Sequence, residues 1–311
     1  MDIVGFSVTK VQMNTPLDKR PRSGPYSGLS ARSAKRFLTQ AFQDAKIPFA
    51  ESEALDIILD ATGADRTALM LNGQEILKPE IFAVISDHMQ RRLAREPLDH
   101  ILGWREFYGR RFKISKDVLS PRADTEILVG LALGAIKHIE TPRILDLGTG
   151  SGAIGLTLLA ENKDASLIAT DISEDALAIA KENASALGVL PHVEFRLGKW
   201  WDPIQPQEKF DVILSNPPYI DAKAMAELEP EVANFDPALA LSGGEDGLRD
   251  YRLIMEGAGN HLQPGGWIGL EIGYDQADTV TSIVKAAGFQ KPDISYDLGG
   301  HPRIISFGGN H

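Results

Sequence analysis

The sequence predicts an α/β protein in which a mostly parallel sheet, covered by helices on both faces, follows a small helical domain. Two patterns carry this prediction. From Arg143 onward, short apolar runs alternate with helical stretches, and this order is typical of a parallel sheet between two helical layers. From residue 30 to about residue 96, apolar residues recur at the spacing of amphipathic helices.

Composition and charge narrow the class of protein. The chain has 311 residues, of which 43% are hydrophobic, so it is long enough for one large or two ordinary domains. It has no cysteine and no apolar run of about 18 residues, and we expect a cytoplasmic protein that does not span a membrane. The net charge is -11, and all of the negative excess lies in residues 111–311, which have a net charge of -12 against +1 for residues 1–110. That sign is wrong for nucleic acid, so none is expected as a partner.

The N-terminal part divides into a tail and a helical domain. Residues 1–28 contain proline and glycine that interrupt every periodic pattern, and we predict a flexible tail. Residues 29–97 are predicted to form a small helical domain without a chemical motif. Its apolar stripes are Leu38, Phe42 and Ile47; Leu55, Ile58 and Leu59; and, on a long helix, Ile76, Ile81, Ile85, Met89 and Leu93.

A hairpin and the α/β domain follow. Residues 98–120 are predicted to form a linker that contains a β-hairpin turning at Gly109, and residues 121–311 the second domain. Pro121 is predicted to begin a helix that runs to about Lys137. Five strands are predicted next, at residues 144–147, 166–170, 193–197, 210–214 and 267–272. A last pair, at residues 293–296 and 303–307, is joined by too short a link for a helical crossover, so we expect it to be antiparallel.

A glycine-rich loop follows the first of these strands. Residues 146–152 read DLGTGSG and lead directly into a helical stretch, so glycines and helical N–H groups can approach a ligand closely. Asp171, at the end of the second strand, can accept both ribose hydroxyls of a nucleoside. The loop thus predicts an adenine nucleoside. Because Gly150, Gly152 and Gly155 also spell G-x-G-x-x-G, it leaves S-adenosylmethionine and a nicotinamide or flavin cofactor both open.

A second loop, SNPPY at residues 215–219, follows the fourth strand. In an open parallel sheet, ligands lie at the carboxyl ends of the strands where the strand order reverses, so this loop should face the glycine-rich loop. Its chemistry suits a planar NH2 group. The Asn216 oxygen and the Pro217 carbonyl can each accept one N–H, and the Tyr219 ring can stack on the flat group. These contacts favour positive charge growing on nitrogen during methyl transfer, which decides for S-adenosylmethionine.

Further segments accompany these two loops. They are EPL at residues 96–98, ILG at 101–103, REFYG at 105–109, PRADTE at 121–126, PALAL at 237–241, GG at 243–244, DGL at 246–248, and residues 297–303. Together the motifs resemble the release-factor-specific protein-(glutamine-N5) methyltransferases, the PrmC/HemK family, over about residues 30–310. PRADTE is more similar to that enzyme than to the relative that acts on a ribosomal protein.

The resemblance implies a fold and a site. The fold is a seven-stranded Rossmann-like class I methyltransferase domain behind a helical domain that engages the release factor. S-adenosyl-L-methionine is the implied cofactor, and a glutamine in the Gly-Gly-Gln loop of peptide chain release factors is the implied substrate. The implied cofactor contacts are Gly148, Thr149, Gly150, Ser151, Gly152, Asp171, Trp200 and Asn216. The implied glutamine contacts are Asn216, Pro217, Pro218 and Tyr219.

Several alternatives remain at the level of sequence. Trp201 beside Trp200 can be the one near adenine, and Asp124 and Glu126 are either first-turn helix charges or neighbours of the cofactor. No histidine has ligand spacing, so we expect no metal. A ribosomal-protein glutamine or the exocyclic amino group of a base are alternative acceptors. A binding protein that kept the fold without catalysis is a third possibility.

Overall fold

The computed structural model describes residues 28–308. Contacts among these residues divide the chain between Asp87 and His88 into two compact units. The tail predicted at residues 1–28 lies outside the described residues, except for Gly28. Among the helices that the structure describes, none is long and apolar enough to cross a membrane.

The first unit is helical, as its apolar periodicity predicts. Its helices are α1 (Ala31–Asp44), α2 (Ala50–Thr62), α3 (Arg66–Asn72) and the first part of α4 (Pro79–Leu93). Ser30 and Asp65 cap α1 and α3, because their side chains accept a hydrogen bond from a backbone N–H of the first turn. Leu38, Phe42 and Ile58 are buried where α1 packs against α2.

The predicted placement of Ile76 on the long helix is wrong. Helix α4 begins only at Pro79, since proline suits the first helical position, where no N–H is needed. Ile76 instead pairs with Ser30 in an isolated antiparallel bridge. Its side chain is 70% exposed, whereas Ile85 on the helix is 1% exposed.

The second unit opens with the predicted hairpin. Helix α5 (Leu98–Leu102) leads into two antiparallel strands, β1 (Trp104–Phe107) and β2 (Arg110–Lys113). Gly109 stands in the turn with φ of 71°, a left-handed conformation that glycine adopts at little cost. The hairpin is therefore confirmed.

The helix predicted to begin at Pro121 begins later. Arg122 is extended, with φ of -93° and ψ of 149°, so the chain cannot turn helically before it. A short 3-10 turn, Ala123–Thr125, then leads into α6 (Glu126–Ile136). The prediction was wrong because a proline that suits a helix start suits an extended segment equally well.

The α/β prediction is confirmed by a seven-stranded sheet in the second unit. Its strands are β3 (Arg143–Leu147), β4 (Ser166–Asp171), β5 (Val193–Leu197), β6 (Phe210–Ser215), β7 (Leu262–Glu271), β8 (Asp293–Tyr296) and β9 (Pro302–Gly308). Their order is β5-β4-β3-β6-β7-β9-β8. The first five are parallel, while β9 is antiparallel to β7 and β8 antiparallel to β9, as the short link predicts.

Further helices alternate with the strands of the second unit or lie in the segments between them. They are α7 (Ala153–Glu161), α8 (Glu174–Ala186), α9 (Ala222–Met225), α10 (Pro230–Phe235), α11 (Ala238–Leu241), α12 (Arg249–His261) and α13 (Ala277–Ala286). Two apolar clusters form the core. One joins residues of α6, α7 and α8 to the strands, and the other joins residues of α12 and α13 to them. Both faces of the sheet are therefore buried, which explains the nearly continuous apolar runs of its central strands.

The strand order reverses between β3 and β6. From β3 the chain proceeds outward through β4 and β5, and it then returns to place β6 on the other side of β3. The ends of the two strands are in register, because Leu147 pairs with Ser215 and the Ser215 hydroxyl donates to the Leu147 carbonyl at 2.7 Å. The loops that follow β3 and β6 therefore begin side by side.

A buried asparagine joins three parts of the second unit. Asn183 on α8 is 2% exposed. Its oxygen accepts from the Lys113 N–H at 2.7 Å, and its NH2 donates to the carbonyls of Ser151 at 2.8 Å and Lys113 at 3.2 Å. One side chain thus holds β2, α8 and the glycine-rich loop together.

We predict that Asn183→Ala lowers the free energy of unfolding by about 3 kcal/mol. The substitution leaves the buried Ser151 carbonyl and the partly buried N–H and C=O of Lys113 without this partner, and a fully buried group left unpaired costs roughly 1–3 kcal/mol. Urea denaturation of the full chain measures the change. Asn162→Ala is the matched control, since within residues 28–308 the Asn162 side chain bonds only the exposed Asp164 N–H, and its loss should stay within about 0.5 kcal/mol. Equal losses for the two variants would contradict the prediction.

Candidate active site

A cavity of about 340 Å³ opens at the carboxyl ends of the parallel strands. The glycine-rich loop and the end of β4 form one wall, and Asn216 and Pro218 after β6 form another. Residues 117–121, together with Pro237, Leu239 and Ala240, add mostly apolar side chains to the lining, and Lys199, Arg249 and Asp250 add charged ones. A cavity at the point where strand order reverses is where open α/β sheets bind their ligands.

The glycine-rich loop is held by the buried carboxylate of Asp146. Its Oδ2 accepts from the Thr149 hydroxyl at 2.7 Å and from the Gly155 N–H at 3.1 Å. A Cβ on Gly155 would lie 2.9 Å from that oxygen and 2.8 Å from Leu167 Cδ2, so only glycine fits between them. The loop therefore keeps its shape through a carboxylate below it, and its upper side faces the cavity.

The same loop is tied to Asp171 at the end of β4. Asp171 Oδ2 accepts from the Gly150 N–H at 2.9 Å, and Oδ1 accepts from the Ser173 N–H at 2.9 Å. Burial raises the pKa of Asp171, while these hydrogen bonds oppose the increase. Each carboxylate oxygen retains a lone pair, so Asp171 can still accept hydroxyl groups from a ligand in the cavity that it lines.

The two adjacent tryptophans lie in different environments. Trp200 lines the cavity, and its ring packs against Gly148, where an added Cβ would be 3.3 Å from Cζ3. Its indole N–H donates to Asp250 Oδ1 at 3.2 Å. Trp201 instead donates to the carbonyls of α12 and stacks on His261, with ring centroids 4.9 Å apart. Of the two, Trp200 is therefore the one that faces the cavity.

The loop after β6 presents an unengaged amide. The Asn216 side chain lines the cavity and makes no hydrogen bond to any residue within 28–308. Pro217 is buried and is not among the cavity-lining residues, and no backbone N–H within residues 28–308 donates to its carbonyl. Among the described residues, both oxygens that sequence analysis assigns to an incoming NH2 group therefore accept no hydrogen bond.

Tyr219 lies further from the cavity than the pattern suggests. It is half-buried against the core cluster of α12 and α13 and is not among the cavity-lining residues. Its carbonyl accepts from Gln276 Nε2 at 3.0 Å, which anchors the loop to the start of α13. Burial raises the pKa of the Tyr219 phenol, and the negative charge of Glu271 raises it further.

The Asp124 and Glu126 side chains contact neighbouring segments of the second unit. Asp124 Oδ2 is 3.2 Å from Arg303 Nε, and Glu126 Oε1 accepts from the Tyr108 N–H at 2.8 Å. Neither lines the cavity, but Thr125 between them does. The Glu126 bond joins the start of α6 to the hairpin, a contact that no local pattern reveals.

Sequence analysis missed three residues around the site. Asp250, which is 2% exposed, accepts a hydrogen bond from the Trp200 indole N–H. Gln276 donates a hydrogen bond to the Tyr219 carbonyl. Glu271 accepts from the Thr125 hydroxyl at 2.6 Å. Burial raises the pKa of Glu271 to about 7. The sequence offered one sign of Glu271, namely its position at the end of a predicted parallel strand, because functional side chains gather at such ends.

Comparison with known proteins defines the class. Residues 33–103 match the PrmC N-terminal domain model and residues 125–233 the Methyltransferase small domain model. The hMettl16 catalytic domain, solved in complex with MAT2A 3'UTR hairpin 6, is 16% identical, with a TM-score of 0.56. The alignment covers 72% of this chain and 83% of that one, so it supports the fold alone. Fold and site therefore define a Rossmann-like methyltransferase.

Close relatives narrow the class to a family. The release factor glutamine methyltransferase of Cereibacter sphaeroides is 44% identical over 89% of this chain and 98% of its own length. That of Agrobacterium fabrum is 43% identical over 81% of this chain and 88% of its own length. The chain belongs to the release factor glutamine methyltransferase family, and the resemblance inferred from the motifs is confirmed.

The carboxyl group of Asp146 gives the site a pH-dependent stability. It is fully buried, and its Oδ1 has no hydrogen-bond partner in the part of the chain that the structure describes. Burial raises its pKa from 3.8 to about 6, the charge of Asp171 adds to the effect, and the bonds from Thr149 and Gly155 oppose it. A carboxyl whose pKa is higher in the folded state stabilises the fold at low pH and loses this contribution as pH rises.

We predict that Asp146→Asn gains stability relative to the wild type as pH rises from about 4 to 7. The wild type loses up to roughly 3 kcal/mol in this range, because one pKa unit corresponds to about 1.4 kcal/mol. The variant has no proton to lose there. Urea denaturation at a series of pH values measures the difference, and Asp164→Asn, an exposed carboxyl, is the control. A difference that does not change with pH would count against the buried charge.

Proposed function

We propose that the chain transfers a methyl group from S-adenosyl-L-methionine to the side-chain amide nitrogen (N5) of a glutamine in the Gly-Gly-Gln loop of peptide chain release factors. One observation carries the proposal. The unengaged Asn216 amide lies in the same cavity as the glycine-rich loop and Asp171. Membership of the release factor glutamine methyltransferase family supports the choice of glutamine and of release factor.

The lining of the cavity offers groups that suit S-adenosylmethionine, namely a carboxylate, an aromatic ring and a glycine-rich backbone. We assign its cofactor contacts to Gly148, Thr149, Gly150, Ser151, Asp171, Trp200 and Asn216, which line the cavity, and to Gly152, which does not line it but stands at the start of α7. Asp171 accepts the ribose hydroxyls, Trp200 packs against the adenine, and the loop glycines admit the backbone close to the nucleoside. The cofactor, when bound, supplies an electrophilic methyl group on a sulfonium. Every other contribution comes from groups of this chain.

The residues after β6 prepare the amide for attack. An amide nitrogen is a weak nucleophile because its lone pair is delocalised into the carbonyl. The Asn216 oxygen and the Pro217 carbonyl each accept one N–H, which orients the NH2 group and stabilises the positive charge that develops on nitrogen. We assign Pro218, which lines the cavity, to the border of the substrate, and Tyr219, which stands behind the cavity wall, to its support. Because two prolines restrict the backbone, these acceptors are positioned before the substrate arrives.

We assign a separate role to each of three segments of the chain. Residues 29–97 form a helical domain that recognises the release factor, and the match of residues 33–103 to the PrmC N-terminal domain supports this. Residues 98–120 form the hairpin linker, and residues 121–311 form the methyltransferase domain.

We predict that the full chain, a bacterial release factor and methyl-labelled S-adenosylmethionine give one labelled methyl group on the Gly-Gly-Gln glutamine. Mass spectrometry of the peptide locates the label. A Gln→Asn release factor should remain unlabelled, because the amide is one methylene too short to reach the acceptors. Ribosomal protein and RNA are offered in parallel reactions. Label on either of these, or on the Asn variant, would reject the proposed substrate.

We predict that Asn216→Ala lowers the rate of transfer about 100- to 1000-fold and changes cofactor affinity much less. The loss of one preorganised hydrogen-bonding group in a transition state typically has this size. Asn216→Asp should retain more activity than Asn216→Ala, because it keeps an acceptor oxygen at the same place. Rates at saturating cofactor and calorimetric affinities separate the two effects. If both variants fold and bind cofactor but are equally inactive, Asn216 acts through its donor instead.

A further inference from the structure

Methylation of an amide creates a proton that the assigned acceptors cannot take. As the N–CH3 bond forms and the S–CH3 bond breaks, the nitrogen gains a positive charge, and the neutral product requires the loss of one N–H proton. The Asn216 and Pro217 oxygens are amide carbonyls, which hydrogen-bond well but are very weak bases. A stronger base near the cavity would complete the reaction.

The carboxyl group of Glu271 lies at the end of the strand next to the loop after β6. This residue ends β7, directly after Leu270, which pairs with Ser215, the residue before Asn216. It is 2% exposed, so solvent does not reach it directly. The function proposed above assigns no task to Glu271.

Thr125 connects Glu271 to the cavity. The Thr125 hydroxyl donates to Glu271 Oε2 at 2.6 Å, and Thr125 lines the same cavity as Asn216 and Pro218. A hydroxyl that donates one hydrogen bond retains two lone pairs, so its oxygen can accept a proton from the cavity side. A single hydrogen bond therefore connects the cavity wall to the carboxylate.

The charges around Glu271 leave it able to change protonation near neutral pH. Arg122 and Arg303 favour its ionised form, and Asp124 disfavours it. Burial is the largest influence and raises its pKa to about 7. Two phenols complete the surroundings. Tyr219 lies close enough for Glu271 to raise its pKa, and Tyr251 donates to the Glu271 backbone carbonyl at 2.9 Å rather than to the carboxylate.

A purely structural role explains this arrangement less well. A Thr–Gln pair would hold the start of α6 against β7 equally well, without the free-energy cost of burying a carboxylate. A buried carboxyl that can lose and regain a proton is useful where a reaction releases one.

We propose that Glu271 receives the proton which the amide loses during methyl transfer, and that Thr125 relays it. This inference rests on the proposed function. The amide N–H proton moves to Thr125 Oγ1 while the Thr125 proton moves to Glu271 Oε2. The sulfonium becomes a neutral thioether, the amide becomes a neutral N-methylamide, and the carboxylate becomes a carboxylic acid. After the product leaves, the same path returns the proton to solvent through the open cavity.

The test is the pH dependence of a single turnover on a release factor at saturating S-adenosylmethionine. The wild-type rate should rise about tenfold per pH unit below about 7 and level off above it, since the ionised form is active. E271Q is close in shape to the protonated form. It should be slower by roughly 100-fold or more on the plateau and should lose the dependence on pH in this range. T125V, which lacks the hydroxyl, should behave in the same way.

Thr125→Ser is the matched control. It keeps the hydroxyl, so it should retain the wild-type pH profile and a rate within about tenfold of the wild type. Calorimetry with S-adenosylmethionine at each pH and circular dichroism show whether a variant has lost binding or fold instead. If E271Q or T125V folds, binds cofactor and keeps the wild-type profile, the proton path is wrong and the proposed function stands. If the wild type itself labels no release factor glutamine, the proposed function fails and this inference fails with it.

Discussion

The site depends on the parallel pairing of β3 with β6. These strands are far apart in the chain, and they meet because the order of the sheet reverses between them. The Leu147–Ser215 register then places the glycine-rich loop next to Asn216. A shift of one residue along β6 would turn its side chains to the other face of the sheet and remove the loop after β6 from the cavity. The buried apolar residues on both faces resist such a shift, so the core of the domain also determines the geometry of its active site.

Around this junction, the second unit buries three carboxyl groups that position other residues. Asp146 shapes the glycine-rich loop, Asp250 holds the Trp200 indole, and Glu271 accepts from Thr125. Each is at most 2% exposed. Burial of a carboxylate is unfavourable unless hydrogen bonds compensate for the lost water. For Asp146 and Glu271 the hydrogen bonds compensate only in part, so burial raises the pKa of both carboxyl groups. The stability of the domain is thereby reduced at the place where its chemistry occurs, which is common in enzyme sites.

Much of the fold and part of the site could be read from local patterns. Alternating apolar runs and helical stretches predicted the sheet, and the short link after residue 296 predicted its antiparallel edge. Glycine spacing and the Asn-Pro-Pro-Tyr segment identified both loops of the cavity. The helix start at Pro121 and the place of Ile76 were predicted wrongly, because proline and isolated apolar residues are compatible with more than one local structure. The contacts made by Asn183, Gln276 and Glu126 left no local pattern to read.

The sequence by itself therefore determined the class of fold and the two loops, and it predicts that Asn216 acts as an acceptor. Periodicity, glycine and proline act on neighbouring residues, so their effects are visible in a short stretch of chain. Only the tertiary structure decided that Trp200 and not Trp201 faces the cavity, that Tyr219 stands back from its wall, and that Thr125 meets Glu271. The last pair is separated by 146 positions. Such contacts, and the burial that raises a pKa, depend on which distant segments the sheet brings together.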